Sequence, residues 1–320
     1  MWALHAQLLA CPDCRAPLAP PAREARCSGC GRALDLRGPV PRLLPRRDMP
    51  RQEARTLASF ERQWRSYGRL RRIFGKDPLA MAANLAGARM GAHIDRAWYA
   101  GRRVLDAGCG HGRYLRAFAA LGAEVVGLDA GRGPELAGVP LDHPRISVLQ
   151  GSVLATPLRD ASFDLVFCDG VIHHTPDPHA AYLELARLVK PGGALYVWVY
   201  PREGALREGV FGAARALSTR LPGGAMRTLA FMLAPLTLGV RSYSGTTLAR
   251  ATWQECAQVV HDWLAPPLQS HHDFAELAGW AREAGLGEVE CLPVPTGATA
   301  WRPAAAPRAR EAVSPVARVG

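Results

Sequence analysis

Between residues 104 and 200 the chain alternates short apolar runs with amphipathic stretches. The runs Val104-Leu105, Glu124 to Leu128, Arg145 to Gln150, Phe163 to Asp169 and Ala194 to Tyr200 are rich in β-branched and aromatic residues. Runs of that length and make-up predict buried strands. Tyr114 to Leu121 and Ala180 to Val189 carry apolar residues at helical spacing. The second helix should stop at Lys190-Pro-Gly-Gly193, where proline and glycine end helices. Strands alternating with helices predict an α/β domain with a parallel sheet.

The flanks read differently. After Tyr200, the segment Pro201 to Gln269 predicts an insertion with helices at Ala205–Leu221 and Ala225–Leu233, broken at Pro222-Gly-Gly224 and at Pro235. A helix at Asp273–Ala284 and a strand pair at Gly287–Val294 and Ala298–Trp301 close the domain. Upstream, Phe60, Trp64, Tyr67 and Phe74 recur near helical spacing, with Arg62, Arg65, Arg69, Arg72 and Lys76 between them. That pattern predicts an amphipathic helix with an aromatic face packed on the domain and a cationic face outside. The competing reading is a helix that grips RNA. Arg37 to Arg55 reads as a linker, and the Ala/Pro/Arg-rich tail 304–320 as disordered.

The first strand leads into Asp106-Ala-Gly108-Cys109-Gly110-His-Gly112 and then a helix. Glycines let a backbone approach a ligand closely, and a helix start offers free N–H groups to an anion. A dinucleotide fingerprint needs its third glycine at position 113, which is Arg113. The second strand ends in Asp129, 19 residues after Gly110, where a carboxylate can accept both hydroxyls of a ribose.

This G-x-G-x-G motif after an acid resembles motif I of the class I S-adenosylmethionine (SAM) methyltransferases, and Val104 to Tyr200 carries that family's elements in order. The resemblance implies a seven-stranded Rossmann-like class I methyltransferase sheet in residues 101–303. It also implies SAM contacts from Asp106, Gly108, Cys109, Gly110, Gly112, Asp129, Ala130, Ser152, Val153 and Asp169. Family members often hold Asp where this chain has Ser152. A lid of helices, residues 46–100, is expected to cover the cofactor. His173 and His174 follow strand four at the carboxyl edge, where ligands bind in such sheets. Histidine titrates near neutrality, so either is a candidate general base. The alternative is a cap for the Thr175-Pro176 turn.

The amino terminus carries Cys11-Pro-Asp-Cys14 and Cys27-Ser-Gly-Cys30, separated by 12 residues. Two such knuckles can close a tetrahedral four-thiolate zinc site with no open position, hence a structural one. A ribbon of about 40 residues buries too little core to fold without metal. Met1 to Ala10 lacks a basic start, so a secretory leader and disulfides are not expected, and the chain reads as cytoplasmic. Residues 1–45 resemble the small zinc-ribbon activators of methyltransferases. They also resemble the ribbon of certain ribosomal-RNA guanine methyltransferases, where His often replaces the fourth ligand, here Cys30.

Charge changes the picture only locally. The net charge of +11 sits almost wholly in residues 1–76, which hold 16 of 39 basic and 6 of 28 acidic residues. Lys76 and Lys190 are the two lysines, a skew toward arginine that a GC-rich coding sequence would also produce. No run approaches the roughly 20 apolar residues of a membrane span. The leading expectation is therefore a SAM-dependent methyltransferase acting on a small molecule, lipid or saccharide. An rRNA or tRNA methyltransferase, or a non-catalytic SAM-binding activator module, are the alternatives.

Overall fold

The computed structural model describes residues 6–18, 24–36, 38–67, 90, 94–139, 141–237, 252–292 and 296–304. Phe74, the basic positions 69–76 and the tail from 305 lie outside these residues.

The sheet is built by β3 (Arg103–Ala107), β4 (Glu124–Asp129), β5 (Ile146–Gln150), β6 (Phe163–Asp169), β7 (Val189–Trp198), β8 (Val289–Cys291) and β9 (Gly297–Trp301). Its order is β5-β4-β3-β6-β7-β9-β8, with β3 to β7 parallel and β9 antiparallel to both neighbours. The strand order reverses beside β3, so a crevice opens at the carboxyl ends of β3 and β6.

Successive side chains of a strand point to opposite faces, and each face is covered. Leu105, Val126, Leu149 and Val166 point to one side, with α4 (Pro178–Ala186) and α8 (Phe274–Glu283). Val104, Val125, Val148 and Leu165 point to the other, against α2 (Arg113–Ala120). Helix α8 starts where its sequence says it should. Asp273 accepts from the Glu276 N–H, and Glu276 reaches back to the Asp273 N–H, closing a capping box. Asp177 caps α4 by accepting from the Ala180 N–H.

Two expectations need correction. Helix α4 stops at Ala186, and Lys190-Pro-Gly-Gly193 belongs to β7. The pairing of β6 with β7 shifts register between Phe163 and Leu165, so the Pro-Gly-Gly segment is accommodated as an irregularity of the strand. The linker is also shorter than expected, because α1 (Arg51–Tyr67) already begins at Arg51. Its buried stripe is Glu53, Thr56, Ser59, Gln63 and Tyr67, mostly polar rather than aromatic. Phe60 and Trp64 flank that stripe and are half-buried.

The ribbon, with hairpin strands β1 (Glu24–Arg26) and β2 (Ala33–Asp35), is docked on the domain. Leu9, Leu18, Leu34 and Leu43 share one core with Leu149 and Leu158. Its tail extends the sheet at β5: the Leu43 N–H donates to the Gln150 carbonyl and the Gln150 N–H to the Pro41 carbonyl, both at 2.8 Å. Arg15 reaches the buried Glu184 carboxylate at 3.0 Å. That carboxylate also accepts from the Thr156 N–H and from Arg187.

The insertion forms α5 (Ala205–Ser218), α6 (Gly223–Leu233) and a 3₁₀ turn at Ala234–Thr237. Helix α7 (Trp253–Leu264) packs on α6 through Met226, Ala230, Cys256, Ala257 and Val260. No described helix is long and apolar enough to cross a membrane.

Candidate functional site

The crevice holds a cavity of about 200 Å3. The glycine loop after β3, the ends of β4 and β6, and the turn after β5 form its floor. Helices α1 and α7 form its roof. Gly108, Cys109, Gly110, Asp129, Ala130, Ser152, Val153, Asp169 and His174 all line it. Asp106, Gly112 and His173 do not. Asp106 and His173 are 2% and 0% exposed, behind the wall.

Glycine is required at the loop by sterics as well as by backbone sign. Gly108 has φ +80, and a Cβ there would lie 2.4 Å from Val171 Cγ2. Gly110 has φ +51, and its Cβ would lie 2.8 Å from the indole of Trp64. A side chain at Gly108 would push the loop off the turn after β6, and one at Gly110 would push it away from its roof.

Asp129 is fixed at both oxygens. Oδ2 accepts from the Gly110 N–H and Oδ1 from the Gly131 N–H, each at 2.8 Å. Burial, only partly offset by these two bonds, pushes its carboxyl up to about 6. Asp169 accepts from Tyr114 Oη at 2.6 Å, from Arg113 Nη2 at 3.2 Å and from Tyr196 Oη at 3.2 Å. Asp106 lies below them. Burial, with smaller contributions from the nearby Asp169 and Asp129, raises its carboxyl well above the usual range. Its Oδ2 is buried with no hydrogen-bond partner.

The histidine pair divides. His174 Nδ1 lies 2.8 Å from the Leu268 carbonyl, which can only accept. Nδ1 therefore carries the proton and Nε2 keeps its lone pair. Burial pushes His174 down to about 4, so the ring is neutral at pH 7. His173 stacks on Tyr200 with centroids 4.1 Å apart, and neither of its nitrogens has a partner. Burial lowers its pKa as well. His173 thus lies behind the cavity wall, whereas His174 lines it.

Several cavity residues escaped the sequence reading. Trp64 stacks on His111 at 4.7 Å, and Phe60 meets His174 edge-on at 5.0 Å. Tyr200 stands just beyond the end of β7, at the same carboxyl edge that singled out His174, and that rule could have found it. Asp262 on α7 accepts from Gln63 Nε2 at 3.2 Å and from Tyr200 Oη at 3.3 Å. Burial raises its carboxyl above the usual range. Nothing local in the sequence marks it. The lining carries Glu53, Glu61, Asp129, Asp169 and Asp262 against one cation, Arg113, which Asp169 engages.

At the ribbon the four sulfurs of Cys11, Cys14, Cys27 and Cys30 lie within 4.8 Å of one another. Cys11 and Cys30 are 3.7 Å apart and Cys14 and Cys27 3.4 Å. Tetrahedral thiolates at about 2.3 Å from zinc stand about 3.8 Å apart, so the donor set fits that ion.

A doubly wound α/β sheet with a glycine loop and strand-end carboxylates at its switch point defines a class I nucleotide-type site. Residues 105–197 match the family described as a methyltransferase domain. A ubiquinone biosynthesis O-methyltransferase of Xanthomonas oryzae pv. oryzae is 40% identical over 104 residues, 31% of this chain and 43% of that protein. Its namesake from Pseudomonas aeruginosa is 37% identical over 111 residues, 32% of this chain and 46% of that protein. The chain thus spans less than half the length of these relatives. Among solved structures, an O-methyltransferase family protein from Burkholderia thailandensis superposes with a TM-score of 0.46 at 16% identity, over 79% of this chain and 62% of that one.

Proposed function

We propose that this protein methylates a hydroxyl of a small, largely apolar acceptor, using SAM. The carrying observation is the pairing, in one roofed cavity, of Asp129 on the glycine loop with a neutral His174 whose Nε2 is free to accept a proton. The relatives named as ubiquinone biosynthesis O-methyltransferases support the reading. So does the sign of the cavity, since SAM is a sulfonium cation and the lining carboxylates outnumber the cations.

Each residue has a task in this account. Asp129 accepts the ribose hydroxyls, and the loop from Gly108 to Gly110 admits the nucleoside by lacking side chains. Ser152 and Val153 border the adenine. Asp169, oriented by Tyr114 and Arg113, faces the amino-acid end. SAM when bound supplies a methyl already activated by sulfonium, so the protein's part is alignment and proton removal. His174 takes the hydroxyl proton, and Phe60, Trp64 and Tyr200 hold an apolar body and exclude water. Asp106 and Gly112 act from below, setting the shape of the loop.

The ribbon is proposed as a structural zinc module at residues 1–45, ahead of lid helices at 46–100 and the catalytic domain at 101–303. An RNA acceptor rests on the charge of residues 1–76 and the resemblance of the ribbon, and part of that charge is spent internally. Arg15, Arg32, Arg42 and Arg47 pair with Glu184, Asp13, Glu135 and Glu53. The test is release of S-adenosylhomocysteine from SAM in the presence of hydroxylated apolar acceptors and, separately, of RNA. Turnover with the former supports the proposal. Turnover with RNA alone refutes it.

A further inference from the structure

The insertion presents large apolar side chains to the solvent. Of the eight large apolar side chains exposed among the described residues, seven lie between positions 206 and 253. Helix α5 is the clearest case. Leu206, Val210 and Leu217 fall within a narrow sector of its helical wheel, at 86%, 61% and 66% exposure. The opposite sector, with Phe211, Glu208, Arg215 and Ser218, turns inward, Phe211 meeting Trp263 edge-on at 6.1 Å. Ser218 Oγ donates to the Leu264 carbonyl and Arg215 Nε to the Trp263 carbonyl. A helix at a protein surface ordinarily turns polar residues to the solvent opposite its packed face. The second, exposed apolar stripe marks an interaction face. A second apolar group, Met232, Leu236 and Trp253, stands where α6 ends and α7 begins, joined by the bond from Trp253 Nε1 to the Phe231 carbonyl.

Charge indicates what this face meets. Residues 203–237 carry Arg207, Arg215, Arg220 and Arg227 against Glu203 and Glu208, and Arg207 pairs with Glu203 at 2.9 Å. Arg207 borders the leucine stripe on α5, and Arg220 follows the end of that helix two residues after Ser218. Arg55 and Arg62 of α1 abut the insertion between α5 and α6: Arg55 Nη2 donates to the Thr219 carbonyl, and the Arg62 side chain lies against Gly223. An apolar stripe with arginines nearby, on a helix too short and too polar to span, is the chemistry of a helix lying in a lipid interface. Bilayers with anionic headgroups match the arginines.

We propose that the outer face of α5 and the α6–α7 corner docks on an anionic lipid surface. The docked helices pack on α7, the roof of the cavity, so the cavity would be held beside the bilayer. An apolar acceptor could then reach it without crossing bulk water.

Flotation of the full-length protein with vesicles tests this. Phosphatidylcholine vesicles containing phosphatidylglycerol should carry the protein up, phosphatidylcholine alone should not, and added salt should release it. Arg220→Ala should weaken partitioning about fivefold, the loss expected for one arginine at an anionic surface. Leu206→Glu with Leu217→Glu should weaken it by more than about tenfold. Both side chains are exposed, so this double variant should keep the wild-type melting temperature and S-adenosylhomocysteine binding, which separates docking from methyl transfer. Equal recovery on both vesicles, no recovery on either, or an unaffected double variant would overturn the proposal. A wild-type dimer that the double variant dissolves, without vesicle binding, would overturn it in favour of self-association.

Discussion

Arg42 and Gln150 join the ribbon's tail to the cofactor loop. Arg42 Nη1 donates to Gln150 Oε1 at 2.8 Å, and Gln150 Nε2 donates onward to the Ala130 carbonyl at 2.8 Å. Ala130 sits between Asp129 and Gly131, whose N–H holds the Asp129 carboxylate. Arg42 lines no part of the cavity, yet it braces the loop that positions the ribose acid. Arg42→Ala should therefore raise the S-adenosylhomocysteine Kd about two- to fivefold, the range for a half-exposed charged contact. Titration calorimetry reads it, and an unchanged Kd would show that the bracing is idle.

His174 should act on turnover rather than on binding. His174→Gln removes the acceptor nitrogen, and kcat should fall by about a hundredfold or more, as for loss of a general base, while cofactor Kd stays near wild type. His173→Gln touches no cavity wall and should act through stability instead. It would leave a buried amide without partners, so its melting temperature should drop. Equal kcat losses with equal stability losses in both variants would remove the distinction.

Binding of the cofactor should depend on pH through Asp129. Its folded-state value, raised from 3.8 to about 6, means that the free protein holds that proton more tightly than the unfolded chain. Raising the pH through that window therefore costs the free protein stability. It also creates the carboxylate that the ribose hydroxyls need. S-adenosylhomocysteine affinity should fall as pH drops through about 6. Asp129→Asn should flatten the profile, and an equally steep profile in that variant would assign the dependence elsewhere.

The ribbon's metal should stabilise more than the ribbon. Leu9, Leu34 and Leu43 share a core with Leu149 and Leu158, so loosening one side exposes the other. Cys11→Ser with Cys14→Ser should lose bound zinc and lower the melting temperature of the whole chain by several degrees. That corresponds to about 1–2 kcal/mol in a domain of this size. A metal-free protein with an unchanged melting temperature would count against the site.

Much of this was legible because it is local. The order of strands, the glycine loop, Asp129 at the end of β4 and the spacing of the two knuckles are all written within short windows. The roof was not. Gln63 is held by Asp262 of α7, Thr56 by the Leu268 N–H beyond that helix and Glu53 by Arg47, and no periodicity of apolar residues could announce a polar stripe turned inward. Asp262 reaches the cavity from 199 residues beyond its partner Gln63. The end of α4 was misjudged because Pro191-Gly-Gly193, a helix stop by local chemistry, was absorbed as an irregularity in a strand held by β6. The paired histidines looked equivalent in sequence. Only the Leu268 carbonyl, from a distant loop, separates the oriented one from the buried one.

The central claim is that the cavity beneath α1 takes SAM on the carboxylate of Asp129. The most direct test is calorimetric titration of S-adenosylhomocysteine into the purified full-length protein at neutral pH, beside Asp129→Asn. The account predicts one site per chain. It also predicts affinity weakened by about tenfold or more in the variant, as expected when a charged hydrogen-bond acceptor is lost. No binding by the wild type, or equal binding by both, would contradict it.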